Sequence, residues 1–217
     1  MIIGRFLRME KVVDNFGELV EVTAHQLKNL YFLSLEEKNI LLSAKWAYSK
    51  CMHCLSNLRS KYFLGYINPY NTVMYCNWLY WLSRFAYLQD EVCLADKIYC
   101  LNKALHSVDL FYAIELPSVW SCEHPVGSVM GRATFGDGFV FLQGCTVGGN
   151  RDREGNLYYP VIGKNVLMYS GSKIIGKSVV GDDCIISANT YVKDAEIPNG
   201  SMVFGSSPNL VIKRRHM

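Results

Sequence analysis

The 217-residue sequence predicts an α + β protein, with a helical N-terminal domain (residues 1–112) followed by a β-solenoid (residues 113–217). Two observations predict this division. Three of the 17 glycines precede residue 121, and the other 14 lie between Gly127 and Gly205. In the second part, aliphatic residues recur every six positions, a period that fits neither a helix nor a simple alternating strand.

The composition excludes several classes of protein. Half of the residues are hydrophobic and 19% are charged, which supports a folded core and excludes a largely disordered chain. The formal net charge of +3 gives no basic footprint for nucleic acid. The uncharged stretch 63–83 contains a glycine, a proline and three asparagines. We therefore expect a turn and a buried helix there, and no membrane span.

The eight cysteines are scattered, and most of them fall within apolar patterns, which indicates reduced, buried thiols in a cytoplasmic protein. The N-terminus lacks the uninterrupted apolar core of a signal peptide, which agrees with that location. Cys51 and Cys54 have the spacing of metal ligands, but no second Cys-x-x-Cys pair supplies the remaining ligands of a structural zinc site. We expect no metal.

The first part of the chain carries the punctuation of helices. Ser34 and Glu37 have the spacing of a capping box and precede an apolar run. Asn68-Pro69 marks a break. The segment from Val73 to Leu88 is apolar on nearly every side, as is typical of a helix buried between neighbours. A further helix is predicted from Leu94 to Val108, where apolar residues recur at spacings of three and four.

The six-residue repeat is the strongest pattern in the chain. Its aliphatic positions are Ile162, Met168, Ile174, Val180, Ile186 and Val192. Compact residues follow four positions after the first five of these, at Val166, Ser172, Ser178, Cys184 and Thr190. We expect each unit to form one wall of a three-sided coil, with the aliphatic side chain pointing inward and the compact one filling the corner. Glycine and asparagine would relieve the turns.

The same register continues towards the N-terminus after one interruption. It predicts interior positions at Val147, Phe141, Phe135 and Val129, and a boundary position at Glu123. The spacing of 15 residues between Val147 and Ile162 equals one period plus nine residues. A polar loop of nine residues is therefore predicted at about 150–158.

Four stretches of the sequence resemble a known family. Residues 123–149 (EHPVGSVMGRATFGDGFVFLQGCTVGG) are similar to the catalytic stretch of the serine acetyltransferase branch of hexapeptide-repeat acyltransferases, with one residue fewer. Residues 101–117, 160–176 and 205–213 resemble other parts of that branch. The resemblance covers roughly residues 65–215. It implies a left-handed parallel β-helix that forms a homotrimer, and the apolar helices would join two such trimers.

The resemblance implies transfer of acetyl from acetyl-CoA to a hydroxyl group, with His124 as the general base. Histidine has a suitable ordinary pKa, and a general base contributes about 10²–10⁴-fold to the rate. Glu123 occupies an acidic position that helps to hold the acceptor. Glu115 resembles the acidic partner of the base, although it precedes His124 by only nine residues where the family has six more, and an ordinary edge glutamate is the alternative. Gly148-Gly149 resembles the turn whose N–H group, here that of Gly149, stabilises the oxyanion.

By the same resemblance, coenzyme A would lie in the groove between subunits. Small residues of the later coils, together with the Gly148 turn, would follow its pantetheine arm, and Lys213 or Arg214 would meet its phosphates. The small residues are Ser170, Gly171, Ser172, Ser187, Ala188 and Asn189. Packing at the corners of the coil explains these small residues equally well.

Two departures from the family concern the acceptor. Asn68-Pro69 stands where the family has Asp-Pro, and Tyr158-Tyr159 stands where it has Arg-His. The ammonium group of serine requires a carboxylate, and its carboxylate requires an arginine. Arg151 or Arg153 are the candidate substitutes for the missing charged partners. Paired tyrosines, in contrast, suit a sugar ring. L-serine and a sugar of a surface glycan therefore both stay open as acceptors. The alternative outside enzymes is a non-catalytic β-helix scaffold that binds no coenzyme A.

Overall fold

The computed structural model describes residues 14–58 and 60–215, so the expectation for the extreme N-terminus lies outside the described residues. The chain begins with helices, as predicted. Their bounds are α1 (Phe16–Leu30), α2 (Leu35–Ser43), α3 (Lys45–Asn57), α4 (Thr72–Leu88) and α5 (Val92–His106). None of the described helices combines the length and the hydropathy that a bilayer crossing requires.

The predicted capping box begins α2. The Ser34 hydroxyl accepts a hydrogen bond from the Glu37 backbone N–H (3.1 Å), and the Glu37 carboxylate accepts one from the Ser34 N–H (2.8 Å). The same carboxylate forms an ion pair with Lys97 of α5 at 2.6 Å. One glutamate thus caps a helix and ties it to a second helix.

Helix α4 is the core of the helical part. The prediction of a helix buried on nearly every side after Asn68-Pro69 is confirmed, because eleven of its 17 residues are buried. It packs between α3 and α5 and also contacts the strand Trp120–Cys122 of the solenoid. Its apolar character therefore reflects packing within the protein.

Short strands make up the second part of the chain. They are β1 (Asp109–Leu110), β2 (Trp120–Cys122), β3 (Val129–Met130), β4 (Thr134–Phe135), β5 (Phe139–Phe141), β6 (Thr146–Gly148), β7 (Asn150–Arg151), β8 (Leu157–Tyr158), β9 (Val161–Ile162), β10 (Leu167–Met168), β11 (Lys173–Ile175), β12 (Val179–Val180), β13 (Ile185–Ile186), β14 (Tyr191–Lys193), β15 (Glu196–Ile197), β16 (Ser201–Ser206) and β17 (Asn209–Arg214). Strand β1 already pairs with β3. The solenoid therefore begins at Asp109, slightly before residue 113.

Most of these strands stack in parallel into the three faces of a prism. The first face contains β2, β5, β10, β13 and the start of β16; the second contains β1, β3, β6, β11 and β14; and the third contains β4, β9, β12 and β15. Paired residues such as Val161 and Val179 lie 18 positions apart, which is three walls of six residues. The predicted three-sided coil is confirmed.

The repeat residues fill the prism as predicted. The six aliphatic positions from Ile162 to Val192 are each at most 1% exposed, and so are the five compact corner residues. The predicted loop is also present, as the antiparallel hairpin β7–β8, which adds nine residues between the second and third faces. Asp152 fixes its turn by accepting hydrogen bonds from the backbone N–H groups of Glu154 and Asn156, both at 2.9 Å.

The register predicted for the first coil is wrong by one residue. Val129 is 41% exposed, whereas Met130 is 1% exposed and pairs with Val147. Cys122 likewise takes the interior position, and Glu123 is exposed. The corner before β3 contains more residues than a standard corner and the next corner contains fewer, so a strict count of six fails there.

The cysteines are free thiols, and six of the eight are buried as expected. Cys93 and Cys100 are the exceptions, since both are exposed on α5. The Cys54 thiol lies 3.1 Å from the Trp120 carbonyl oxygen, across the seam between α3 and β2. Cys51 and Cys54 are thus part of the packing between the helices and the prism.

Two neighbouring valines of β12 test the inward packing. Val180→Ala is expected to lower the free energy of unfolding by about 2 kcal/mol, because it empties space in the prism interior. Val179→Ala is the matched control, since Val179 points outward and is 43% exposed, and its cost should stay below about 0.5 kcal/mol. Chemical denaturation at one protein concentration measures both. Equal losses would contradict the assigned register.

Candidate active site

His124 lies at the corner between the first and second faces, after β2 and before β3. Its backbone is left-handed (φ 50°), and its carbonyl oxygen accepts a hydrogen bond from the Val126 N–H at 2.8 Å. Left-handed backbone recurs at later corners of the prism, for example at Asn165 and Asn189. The His124 side chain is exposed at this corner. Left-handed backbone is uncommon for residues other than glycine, so the fold of the corner constrains the backbone of His124.

His124 opens into a cleft of about 700 Å³ between the helical part and the first face of the prism. The prism contributes Ser121, Glu123, His124 and Val140 to its lining. The helical part contributes Leu55, Leu58, Ser60, Tyr62, Phe63, Tyr70, Asn71, Thr72, Val73 and Met74. The cleft therefore joins one candidate base and one carboxylate to a wall that is largely apolar and aromatic.

The two carboxylates proposed for the site lie in different places. Glu123 precedes His124 and lines the same cleft. Glu115 lies outside that lining, its side chain is largely exposed, and its carboxylate pairs with Arg84 at 3.1 Å. Within the described part of the chain, no side chain forms a hydrogen bond with the His124 ring. Glu123 therefore shares the cleft of His124, whereas Glu115 forms a separate ion pair with Arg84 of α4.

Most of the residues expected to hold coenzyme A lie on the same edge of the prism as His124. The corners that follow on successive coils are joined by backbone hydrogen bonds of 2.8–3.0 Å, donated by Gly144, Gly171 and Asn189. Their column continues the corner of His124 along the prism, with the spacing of about 4.8 Å between neighbouring strands. Half-exposed and exposed small residues line this edge, namely Ser170, Gly171, Ser187, Ala188 and Asn189.

Two of the residues predicted to hold coenzyme A do not belong to this column of exposed corner residues. Ser172 is fully buried, with its hydroxyl 3.6 Å from the Cys145 thiol, so it packs the corner and is removed from the contact set. Lys213 is exposed on β17, and its ammonium lies 5.8 Å from the centroid of the Phe204 ring. A small residue inside the prism and a small residue on its edge look alike in the sequence.

The Gly148-Gly149 turn lies at the opposite edge of the second face, where β6 ends and the hairpin begins. The candidate acceptor residues of the hairpin lie at this edge too. Arg151 donates a hydrogen bond to the Gly155 carbonyl at 2.7 Å, and the Tyr159 ring lies 5.3 Å from the Arg132 guanidinium. Tyr158 and Arg153 are exposed there. One chain therefore does not bring His124 together with Gly149 or with the hairpin.

Asn68 lies close to the cleft without lining it. Its side-chain oxygen accepts a hydrogen bond from the Tyr70 N–H at 2.9 Å. Asn71 then caps α4, accepting a hydrogen bond from the Met74 N–H at 3.2 Å. These two asparagines shape the turn that presents Tyr70 to the cleft.

The helical wall of the cleft is the feature that sequence reasoning missed. Tyr62, Phe63 and Tyr70 surround the predicted break at Asn68-Pro69, so an aromatic run beside a turn was the available signal. Only tertiary packing places that run opposite His124. Within the residues that the structure describes, no cluster of three or more His, Cys, Asp or Glu side chains is placed to hold a metal ion.

Comparison with known proteins shows what the repeat is similar to. Residues 159–194 match the bacterial transferase hexapeptide (six repeats) family. A Helicobacter pylori serine acetyltransferase is 35% identical over 94 residues, which are 43% of this chain and 54% of the relative. A Staphylococcus aureus serine acetyltransferase is 27% identical over 135 residues, 62% of each protein. The chain thus spans about half to three-fifths of the length of these curated relatives.

Solved structures share the fold along nearly the whole chain. Neisseria gonorrhoeae serine acetyltransferase superposes with a TM-score of 0.72 at 23% identity, covering 92% of this chain and 81% of that one. A serine acetyltransferase in complex with CoA gives a TM-score of 0.68 at 20% identity, covering 91% and 84%. The predicted fold class and the resemblance to serine acetyltransferase-like hexapeptide-repeat proteins are confirmed.

The Gly149 turn can be tested by stability. Gly149→Ala is expected to lower the free energy of unfolding by about 1–3 kcal/mol, because the new Cβ would lie 2.8 Å from the Tyr159 ring and 2.9 Å from the Tyr158 carbonyl oxygen. Gly148→Ala is the matched control, since no described atom lies within 4 Å of its Cβ position. Denaturant titration compares the two. A Gly149→Ala protein as stable as Gly148→Ala would contradict the close approach.

Proposed function

We propose that the chain is an acetyl-CoA-dependent O-acetyltransferase with His124 as its general base. The observation that carries this proposal is the position of His124, which faces a cleft and heads an edge of small, accessible residues on successive coils. The named relatives, which are serine acetyltransferases, support the same reaction. A solenoid scaffold would need neither the cleft nor the exposed imidazole.

The reaction is a direct transfer. His124 accepts the proton of the acceptor hydroxyl, and the hydroxyl oxygen attacks the carbonyl carbon of the acetyl thioester. The Gly149 N–H stabilises the oxyanion that forms. The carbon–sulfur bond then breaks, the proton held by His124 passes to the coenzyme A thiolate, and the acetyl ester leaves. Glu123, beside the base, holds the acceptor.

Ser170, Gly171, Ser187, Ala188 and Asn189 would hold the co-substrate, acetyl-CoA. Their exposed backbone groups on one edge suit an extended pantetheine arm, because small side chains let the arm approach the main chain. A solved neighbour in complex with CoA supports this co-substrate. Lys213, exposed on β17, would meet a phosphate.

The site requires more than one copy of the chain. His124 and Gly149 lie at opposite edges of the second face, so a neighbouring copy must supply one of them. A contact between two different edges of identical chains gives a ring where its rotation closes and an open filament where it does not. The proposed homotrimer is the closed form with three copies. Exposed apolar residues on the helical part, including Phe32 (82% exposed) and Leu35 (83% exposed), would join two trimers.

Two acceptors are compatible with this chemistry. The named relatives favour L-serine. A sugar hydroxyl is favoured by the departures at Asn68 and at Tyr158-Tyr159, which stand where the resemblance places charged partners for an amino acid. For either acceptor we propose a cytoplasmic enzyme, in which eight free thiols remain reduced.

Removal of the base tests the proposed reaction. His124→Ala is expected to lower turnover at least 100-fold, the contribution of a general base, while far-ultraviolet circular dichroism stays unchanged. The control is His25→Ala, because His25 is exposed on α1 away from the cleft and its loss should leave turnover within about twofold. Near-normal turnover by His124→Ala would reject the assignment. Absence of coenzyme A binding in calorimetry would favour the scaffold.

A mixed assembly tests whether neighbouring copies share the site. His124→Ala and Gly149→Pro are each expected to be inactive alone, because the first lacks the base and the second lacks the backbone N–H that stabilises the oxyanion. Refolding them together at equal amounts should restore about one quarter of the native activity, because random mixing pairs an intact His124 with an intact neighbouring Gly149 in that fraction of sites. Restoration requires two copies per site. Failure of the mixture, with trimers confirmed by sedimentation velocity, would place both groups within one chain.

A further inference from the structure

We infer that the acceptor bound beside His124 is a neutral carbohydrate, and that the cleft wall formed by Tyr62, Phe63 and Tyr70 (the aromatic wall) is its binding surface. The inference rests on the proposed function and deepens it, because it names the class of acceptor. Three properties of the cleft carry the argument. They are its volume, the rings on its helical side and the charges in its lining.

The volume of the cleft exceeds what a small amino acid needs. About 700 Å³ lies between the helical part and the first face. Sites of about 300–1,000 Å³ enclose ligands of drug size, and L-serine is far smaller than such a ligand. A mono- or disaccharide fills a space of this size. A serine molecule would leave most of the apolar wall facing water.

The aromatic wall presents large exposed ring surfaces to the cleft. Tyr62 is 65% exposed and Tyr70 is 90% exposed, and both line the cleft together with the half-buried Phe63. Rings of this kind offer rigid, flat contact area with little loss of conformational freedom. The C–H face of a pyranose is flat and apolar, so it packs on such rings. Asn71 and Ser121 of the same lining offer polar groups for ring hydroxyls.

The described residues of the cleft offer a zwitterion a charge for its ammonium and none for its carboxylate. Glu123 is the charged side chain of the described lining, beside His124. No lysine or arginine belongs to that lining as far as the structure describes it, and Lys61 lies outside it, with its ammonium 5.0 Å from the centroid of the Tyr62 ring. Beside Glu123, an amino-acid carboxylate would find no cationic partner among the described lining residues of this chain. A neutral sugar carries no such charge.

The acceptor test measures release of the coenzyme A thiol from acetyl-CoA by the full chain. The probes are the methyl glycosides of glucose, galactose, mannose, N-acetylglucosamine and N-acetylmannosamine, with L-serine as the competing acceptor. We expect at least one glycoside to give a kcat/KM at least tenfold above that of L-serine. Mass spectrometry of that glycoside should show one added acetyl group.

Two variants connect that activity to the aromatic wall. Tyr70→Ala and Tyr62→Ala should each raise the KM for the glycoside about three- to tenfold, the loss expected for one stacked ring. The KM for acetyl-CoA should stay within twofold. Tyr87→Ala is the matched control, since Tyr87 is a 38% exposed tyrosine near the end of α4 and lies outside the cleft. Equal effects of all three variants would overturn the role of the aromatic wall.

The outcomes separate this inference from the proposed function. A kcat/KM for L-serine above that of every glycoside overturns the carbohydrate acceptor and leaves the acetyltransferase intact. Binding of acetyl-CoA in calorimetry without glycoside-dependent thiol release also overturns it. Absence of both acetyl-CoA binding and thiol release overturns the proposed function, and the inference with it.

Discussion

The packing of one inward side chain on every six-residue wall determines the rest of the structure. Ile162, Ile174 and Ile186 are each at most 1% exposed, so the interior admits no change of register along these coils. Each wall must then turn sharply, and the corners adopt left-handed backbone that directs the corner residue outward. His124 occupies such a corner on the first coil. Its exposure is a consequence of how the interior packs.

The helical part forms the cleft beside His124 by covering the first coil. Tyr80 of α4 fixes this seam, because its hydroxyl donates a hydrogen bond to the Ile114 carbonyl oxygen (2.8 Å) and accepts one from the Leu116 N–H (2.9 Å). Burial raises the pKa of Tyr80 to about 12, which favours the neutral hydroxyl that makes both hydrogen bonds. The Tyr80 and Trp120 rings meet edge to face at 5.3 Å. The seam fixes the middle of α4 against the prism, and the turn that carries Tyr70 directly precedes this helix.

Periodicity and resemblance predicted the parts of the protein that depend on local sequence. The coil, the nine-residue hairpin, the capping box of α2 and the buried α4 follow from spacings that any reader can count. The register at Val129 failed because corner length is set by backbone geometry and not by side-chain pattern. Ser172 failed because a buried and an exposed small residue look alike. The cleft wall could not be predicted, since only the docking of the helices on the prism brings Tyr70 near His124.

A crystal structure of the protein with coenzyme A tests the central claim most directly. The account predicts a ring of three chains in which the pantetheine arm follows the edge from Ala188 to Gly171 and its sulfur approaches the His124 imidazole to within about 4 Å. Gly149 of the neighbouring copy would face that sulfur. Coenzyme A bound at another edge, with the imidazole remote from any neighbour, would contradict the account.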